Sequence, residues 1–357
     1  MPQAPSLDLR RPDAEIPGGA AADLAYCRRA LPGVSRTFAV NIGVLRGPMA
    51  DAVTVAYLLC RSADALEDSW PGPAAEVAGR FDTLLDALRG DRVAVESLAR
   101  AAAALDSDHA DLDLVAHLPA VLRAFASLPA EDRDAISQAL DAMTRGMRRY
   151  AVRGVERAAG RTEPPAYLDT EAELHDYCFV VAGCVGVMLT RLFARRVPAA
   201  AAIEGERLAL APVVGEALQL TNMLLDWPRD VRRGHCYVPA AWLAEFELAP
   251  RELIDRSRTG AGAAARRLEA LARAALGQVP RYLDLIPTRQ WRYRMFVLWP
   301  ALWALASLAE ARLDREFPFG ERRPRLERDE VRRIARRAML VGHTRAGVRR
   351  LFAALAA

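Results

Sequence analysis

The chain has 357 residues, of which 52% are apolar, enough to bury a sizeable core in one large domain or in two. Its 49 basic and 45 acidic residues leave a formal net charge of only +4, so we expect no nucleic-acid partner. Residues 1–20 are rich in Pro, Gly and acidic residues and lack the apolar core of a signal peptide. We therefore predict a disordered N-terminal segment over 1–20 and one folded domain over 21–357.

Helical periodicity dominates from residue 22 onward, and alternating strand-like runs between turns are essentially absent. The pattern predicts an all-α, single-domain fold whose helices break where Pro and Gly cluster. We interpret the polar, acidic segment 106–113 as a solvated loop and helix start. The predicted helices cover residues 22–31, 47–66, 75–88, 92–104, 111–127, 132–157, 171–195, 205–232, 263–286, 290–314 and 329–355.

The cysteines and the apolar stretches indicate in which cellular compartment the protein is expected and whether it is expected to span a membrane. Five cysteines, an odd number without a C-x-x-C pair, predict buried free thiols in a reducing cytoplasm. The longest apolar stretch, Met295 to Ala309, is too short to span a bilayer and contains Pro300, so we expect no transmembrane segment. We interpret the Arg-rich helix Val331–Leu355 as a solvated helix face with an apolar underside, with peripheral contact to anionic lipid as the alternative.

A polar stripe crosses the apolar helix predicted over 205–232. Asn222, Asp226 and Asp230 recur every four residues, which on an α-helix places them on one side. Because buried carboxylates are costly unless a positive charge neutralises them, this stripe predicts a cation site. Two arginines, Arg232 and Arg233, follow it and are suited to holding an anion.

A second stripe follows the apolar run 53–60. Asp64 and Asp68 have the same four-residue spacing, Glu67 lies between them, and Arg61 precedes them. Two such stripes suggest one cavity with acidic groups on facing walls, occupied by Mg²⁺, or Mn²⁺ as the alternative, together with phosphate oxygens. Solvated helix faces are the alternative interpretation of either stripe.

A glycine-rich stretch, Gly260-Ala-Gly262-Ala-Ala-Ala265, matches the G-x-G-x-x-A pattern of dinucleotide-binding folds. That pattern requires a strand before it, whereas here polar residues precede it and an Ala-rich helix follows. We interpret it as a flexible helix start. The sequence contains no P-loop, no H-E-x-x-H motif and no G-x-S-x-G motif.

Five motifs together resemble the squalene/phytoene synthase family, and the resemblance covers roughly residues 22–312. The motifs are Ser35-Arg-Thr-Phe38, Tyr57-Leu-Leu-Cys-Arg61-Ser-Ala-Asp64-Ala-Leu-Glu-Asp68, Tyr177-Cys-Phe-Val-Val-Ala-Gly183-Cys-Val-Gly186, Gln219-Leu-Thr-Asn222 through Asp230, and Arg232-Arg-Gly-His-Cys-Tyr-Val-Pro239. The resemblance implies an isoprenoid-synthase helical bundle with a central cavity. It also implies Mg²⁺-dependent, head-to-head condensation of two allylic prenyl diphosphates.

The resemblance also implies roles for individual residues. The metal ligands match Asp64, Glu67, Asp68, Asn222, Asp226 and Asp230, and the same four aspartates count among the catalytic groups. The diphosphate contacts match Ser35, Arg36, Phe38, Arg61, Gln219, Asn222, Arg232 and Arg233, of which the first three form a flap over the site. Tyr57 and Tyr177 match cavity tyrosines, and Tyr177 resembles the one that assists ionisation or proton removal. Gly183 and Gly186 are expected to let helices approach closely.

The sequence departs from the family pattern within the second motif. Leu225 stands where members often carry Arg, and Arg229 stands where they often carry Glu. Pro228 removes a backbone donor from the predicted helix, so we expect a bend there.

The acidic motif Asp64-Ala-Leu-Glu-Asp68 is closer to squalene synthases than to the form common in phytoene synthases. The expected reaction is therefore condensation of two farnesyl diphosphates through presqualene diphosphate to squalene, with NADPH as reductant. Phytoene or dehydrosqualene synthesis without NADPH, and arrest at presqualene diphosphate or water addition, are the alternatives. A non-catalytic isoprenoid-binding protein is the alternative from a different class.

Overall fold

The computed structural model describes residues 19–105, 107, 109–161, 163–197 and 203–356. Within these ranges there is no β-strand, and the single isolated bridge joins Ala166 to Cys236. The all-α prediction is confirmed. Most of the segment predicted to be disordered, residues 1–18, lies outside the described residues, and the first helix begins at Ala20.

The chain divides into two compact units. The first unit combines the residues up to Val152 with Arg191–Arg196, and the second combines Arg153–Thr190 with the residues from Val197 onward. Whether the two form the single domain expected from the sequence stays a prediction.

The first unit is built around the helix Gly47–Asp68, which we call the first-motif helix. It packs against Ala20–Val34 and Leu118–Ala126, and its Leu58 and Leu66 side chains are completely buried. The helix predicted over 111–127 is two helices, because Pro119 lacks a backbone donor and is accommodated in the first turn of a new helix. The helices of this unit are Ala20–Val34, Arg36–Ile42, Gly47–Asp68, Val77–Leu88, Arg92–Ala103, Ala110–Ala116, Leu118–Ala126 and Ala130–Ala158, the last continuing into the second unit.

The second unit is built around the helix Glu204–Arg232, which we call the second-motif helix. It packs against Thr259–Leu276 and Trp291–Leu313 and continues through Pro228. The predicted helix over 171–195 contains a π-helical turn, Phe179–Gly183, a feature often found at functional sites. The remaining helices are Glu171–Cys178, Ala240–Glu245, Val279–Asp284, Arg328–Val341, Arg345–Ala356 and Cys184–Arg196, of which Arg191–Arg196 belong to the first unit.

Glycines allow close packing at two places in this unit. A Cβ on Gly186 would collide with the Ala211 carbonyl oxygen, and one on Gly215 would collide with the Ala182 carbonyl oxygen. The packing role expected of Gly186 is therefore confirmed, and Gly215 contributes the opposite side of the same contact. Gly260 lies in the first turn of Thr259–Leu276, which confirms that the glycine-rich stretch is a helix start.

The prediction of buried free thiols is confirmed for all five cysteines, whereas the reducing compartment stays a prediction. The argument against a transmembrane segment is wrong in its premise. Three helices are long and apolar enough to cross a membrane by length and composition, namely Glu171–Arg196, Glu204–Arg232 and Trp291–Leu313. The apolar stretch Met295 to Ala309 is part of a 23-residue helix, and 56% of its most apolar window is buried inside the protein.

Candidate active site

The first-motif helix carries its acidic groups at its C-terminal end. The Asp64 side chain is 30% exposed, Glu67 is partly exposed and Asp68 is exposed. The intervening Ala65 and Leu66 are completely buried. The stripe therefore lies on the accessible side of an otherwise buried helix, as the four-residue spacing predicts.

Arg61, expected at the diphosphate, forms an ion pair with a carboxylate that the sequence did not single out. Its Nε and one terminal nitrogen donate to the two carboxylate oxygens of Asp111, at 2.9 and 2.6 Å. Asp111 also accepts from the Ser69 hydroxyl at 3.1 Å and is only 2% exposed. The helix start expected within 106–113 is confirmed at Ala110, but the solvated character is wrong at Asp111, which is buried in the first turn of that helix and fixes Arg61 in a two-pronged ion pair.

Asp64 has an unusual charge environment. Burial, together with the negative charges of Asp68 and Asp111, raises the pKa of the Asp64 carboxyl to about 7, although Arg61 acts in the opposite direction. The nearest Arg61 nitrogen is 3.5 Å from Asp64, farther than from Asp111. Among the described residues, Asp64 therefore shares the Arg61 charge with Asp111, and a carboxylate in that state is one that a metal ion would stabilise.

The predicted flap is a short helix, Arg36–Ile42, which the periodicity missed because it has only seven residues. Ser35 caps it, its hydroxyl accepting from the Phe38 amide at 3.3 Å. The Phe38 and Tyr57 rings lie 5.0 Å apart, so this helix packs on the first-motif helix. Burial raises the pKa of the Tyr57 hydroxyl. Arg36 is exposed and makes no ion pair or hydrogen bond with any residue that the structure describes.

The second-motif helix has the same two-sided character. Gln219, Asp226 and Asp230 are partly exposed and Asn222 is exposed. Buried apolar residues alternate with them: Leu220, Met223, Leu224, Leu225 and Trp227. Leu225, one of the departures from the family pattern, is 3% exposed and belongs to the core, whereas Arg229, the other, is exposed.

A distant arginine contacts this second stripe. One terminal nitrogen of Arg323 lies 2.9 Å from an Asp226 carboxylate oxygen, and the other donates to the Asn222 amide oxygen at 3.1 Å. Arg323 follows Asn222 by 101 residues in the chain, so no local sequence pattern pointed to it. The contact places the oxygens of Asn222 and Asp226 around one positive group, which is the arrangement a metal ion needs.

Arg232 and Arg233, both expected at the diphosphate, differ in their contacts. Arg232 donates to the carbonyl oxygens of Phe319 and Gly320 at 2.7 and 3.0 Å, and also to Pro228. It thus fixes the loop that carries Arg323. Arg233 is exposed and has no partner within the described residues.

Tyr177 lies in an aromatic cluster that the sequence only partly indicated. It is 8% exposed and stacks on Tyr237, with ring centroids 4.9 Å apart and an interplanar angle of 24°. Tyr167 packs edge-on against Tyr237 and near His235. His235 and Tyr237 also line a cavity of about 20 Å³ with Asp230, about the space of one water molecule. Both residues stand in the motif that follows the second stripe, but they carried no predicted role.

The structure thus brings the predicted residues together within each unit. Ser35, Phe38, Tyr57, Arg61 and Asp64 cluster in the first, and Asn222 and Asp226 converge in the second. Across the described residues, no group of three or more His, Cys, Asp or Glu side chains converges in a way that could hold a metal ion. That the two stripes face one cavity stays a prediction, as do the metal and diphosphate roles of the individual residues.

Comparison with known proteins gives the family. The family model described as squalene/phytoene synthase matches residues 31–330. The squalene synthase of Eremothecium gossypii is 26% identical over 294 residues, which is 81% of this chain and 62% of that protein. The 15-cis-phytoene synthase of Enterobacter agglomerans is 40% identical over 93 residues, which is 26% of this chain and 29% of that protein. The match therefore spans less than two thirds of the length of these curated relatives.

Solved structures share the fold. The complex of TcSQS with the ligand BPH1237 has a TM-score of 0.70 at 22% identity and covers 94% of this chain and 97% of that one. A dehydrosqualene synthase in complex with ligand has a TM-score of 0.60 at 21% identity and covers 89% and 95%. Taken with the family model, which spans most of the sequence, these findings establish that the chain belongs to the squalene/phytoene synthase family, a family of prenyltransferases.

Proposed function

We propose that this chain is a squalene synthase, which joins two farnesyl diphosphate molecules head to head and reduces the product to squalene. The observation that carries the proposal is the convergence of the Asn222 and Asp226 oxygens on one positive group, on the helix where the family places its second metal motif. The similarity to a squalene synthase over 81% of the chain favours this member of the family.

The donor set fits magnesium, because Mg²⁺ prefers carboxylate and carbonyl oxygens and leaves positions for phosphate oxygens. Mn²⁺ is the alternative ion. Asp64, Glu67 and Asp68 would hold metal on the first-motif helix, and Asn222, Asp226 and Asp230 on the second. A bound divalent ion supplies the positive charge that stabilises a departing diphosphate.

Diphosphate binding falls to the basic and polar groups around the two motifs. Arg36 is exposed, and its guanidinium has no partner among the described residues, so it is free to take phosphate oxygens. Arg61 is already engaged by Asp111, so its part is to hold the end of the first motif. The set expected from the family resemblance is completed by Ser35, Phe38, Gln219, Asn222, Arg232 and Arg233.

The proposed reaction has two stages. Loss of diphosphate from one farnesyl diphosphate leaves an allylic cation, which the double bond of the second attacks. Closure of the cyclopropane releases a proton, and the products are presqualene diphosphate, pyrophosphate and H⁺. Presqualene diphosphate then loses its own diphosphate, and hydride from NADPH quenches the rearranged cation to give squalene, pyrophosphate and NADP⁺.

Tyr177 is proposed to assist removal of that proton by relaying it through its hydroxyl to the departed diphosphate, with direct transfer to the diphosphate as the alternative. Its ring is buried against Tyr237, so the aromatic faces would also lie beside a cationic intermediate. Apolar surroundings are needed because water would trap the cation as an alcohol.

Synthesis of phytoene or dehydrosqualene without NADPH is the second candidate. The relatives with 40% identity over about a quarter of the chain include a 15-cis-phytoene synthase and the 4,4'-diapophytoene synthase of Staphylococcus haemolyticus. Arrest at presqualene diphosphate is the third outcome.

One assay separates these candidates. Purified protein is incubated with Mg²⁺ and either farnesyl or geranylgeranyl diphosphate, with and without NADPH, and the products are identified by mass. Squalene formed from farnesyl diphosphate only with NADPH supports the proposal. A hydrocarbon formed equally without NADPH supports the second candidate, and failure to consume either substrate supports a binding protein.

We also propose that the protein is cytoplasmic and contacts a membrane peripherally. Squalene is insoluble in the aqueous cytoplasm, so its release into a lipid bilayer would be favourable. The exposed Leu340, 74% accessible on the Arg-rich helix Arg328–Val341, is suited to such contact. Sedimentation of the protein with anionic vesicles, compared with neutral ones, tests it.

A further inference from the structure

The second aspartate motif already contains a positive charge within the protein. Arg323 contacts Asp226 and Asn222 with its two terminal nitrogens, and these are two of the residues expected to hold metal. Arg323 takes one carboxylate oxygen of Asp226 and the amide oxygen of Asn222, so a divalent cation must compete with the guanidinium for these two oxygens and is repelled by its positive charge.

The loop that carries Arg323 is held in place independently of that contact. Arg232 binds the Phe319 and Gly320 carbonyl oxygens, and Arg256 forms an ion pair with Glu316 at 2.9 Å. The Arg256 guanidinium also lies over the Phe319 ring, 5.7 Å from its centroid. The loop therefore presents Arg323 to the motif from fixed anchor points, which lowers the entropy lost in making the contact.

We propose that Arg323 is an internal counter-cation of the second aspartate motif, and that a divalent metal ion must displace its guanidinium to bind Asp226 and Asn222. The inference rests on the proposed metal role of these two residues. Arg323 then determines the metal concentration that is needed to occupy the site. In the metal-free protein it is a positioning residue, because it holds the Asp226 and Asn222 side chains in place.

The strength of this competition follows from exposure. The Arg323 and Asp226 side chains are 31% and 24% exposed, so water weakens but does not abolish the ion pair. Removing the guanidinium should tighten metal binding by about three- to ten-fold, the range expected for a partly buried, two-pronged pair.

The test is a binding titration of the full chain with Mn²⁺ alone, followed by electron paramagnetic resonance of the free ion. Arg323→Gln is compared with the wild type and with Arg322→Gln, since the neighbouring Arg322 is exposed and has no partner within the described residues. The control removes the same charge from the same loop. We expect tighter Mn²⁺ binding in Arg323→Gln only, and no gain when Asp226→Asn is combined with it.

Equal Mn²⁺ affinity in Arg323→Gln and the wild type would overturn the proposal, and so would an equal gain in Arg322→Gln or no binding in any variant. Should Arg323→Gln fail to fold by circular dichroism, Arg323→Lys replaces it. Lysine keeps the charge but loses the planar fork, so binding should still tighten, by a smaller factor. Because Mn²⁺ binding is read without substrate, the inference can fail while farnesyl diphosphate turnover succeeds, and the reverse.

Discussion

The two aspartate motifs share their spacing but differ in how their negative charge is balanced. At the first motif, Arg61 lies within the motif itself but is bound to the buried Asp111, and the Asp64 carboxyl is left with a pKa raised by burial to about 7. At the second motif, the positive charge arrives from a remote loop, where Arg323 contacts Asp226 directly. The first motif is thus short of positive charge. The second motif has a positive charge, the Arg323 guanidinium, which we propose that a metal ion displaces.

The difference teaches that equal spacing in sequence does not give equal electrostatics. Removing a carboxylate from the first motif should relieve an unfavourable charge, whereas removing Asp226 from the second should leave Arg323 without its negatively charged partner. Activity and stability should therefore respond differently to matched substitutions in the two helices.

The largest expected effect is on catalysis. Asp226→Asn should lower kcat/KM with farnesyl diphosphate by about 100-fold or more, because a metal ligand contributes several kcal/mol to charge stabilisation in the transition state. Steady-state kinetics with Mg²⁺ measures it. Asp329→Asn, at a 94% exposed side chain, is the control and should keep wild-type turnover.

The next effect is on the stability of the first unit. Asp111→Ala removes the partner of Arg61 and Ser69, and it should lower the free energy of unfolding by about 3 kcal/mol, as expected for breaking a largely buried ion pair. Chemical denaturation measures it. Asp113→Ala, on the same helix but with a 66% exposed side chain, should change stability by less than about 0.5 kcal/mol. A similar loss of stability in both variants would contradict the view that the Asp111 ion pair, rather than any carboxylate on this helix, stabilises the unit.

Asp64→Asn tests whether the ionised Asp64 carboxylate destabilises the folded protein. The raised pKa means that the folded protein keeps a proton on Asp64 that the unfolded chain loses near pH 4, so Asp64 costs stability as pH rises from about 4 to 7. Asp64→Asn should therefore be more stable than the wild type at pH 8, by about 1–2 kcal/mol after allowance for solvent screening, and lose this advantage near pH 4. Calorimetry at the two pH values decides, and a variant less stable than the wild type at pH 8 would refute the imbalance.

The smallest effect concerns the loop at the second motif. Arg232→Gln removes two hydrogen bonds to the loop backbone and should cost less than about 1 kcal/mol, since Arg232 is exposed. Amide hydrogen exchange should nevertheless rise across 319–323, because that loop loses an anchor. Unchanged exchange there, in a variant that is otherwise folded, would count against the anchoring role of Arg232.

The sequence was sufficient for most helices and for both stripes, because their periodicity is a local property. It also placed Asp64 and Asp226 on the accessible side of otherwise buried helices. It did not find Asp111 or Arg323, since their partners lie 50 residues away in one case and 101 residues from Asn222 in the other. Such contacts are made by the tertiary fold and leave no spacing in the sequence.

Some helix boundaries could also be predicted from the sequence, and others could not. The helix predicted over 263–286 ends at Leu276 because Gly277 follows it, and the one predicted over 329–355 ends at Val341 before Gly342. Glycine has a low helix propensity, so both breaks could have been anticipated from residue type. The short helix Ala240–Glu245 could not, because six residues carry too little periodicity to identify.

The most direct test of the central claim is pyrophosphate release from farnesyl diphosphate by the purified chain, measured with Mg²⁺ and again after chelation. Metal-dependent release that is lost in both Asp64→Asn and Asp226→Asn, while both variants remain folded, is the predicted result. Release that persists without metal, or that survives either substitution at the wild-type rate, would contradict the proposed role of both motifs in metal-dependent ionisation.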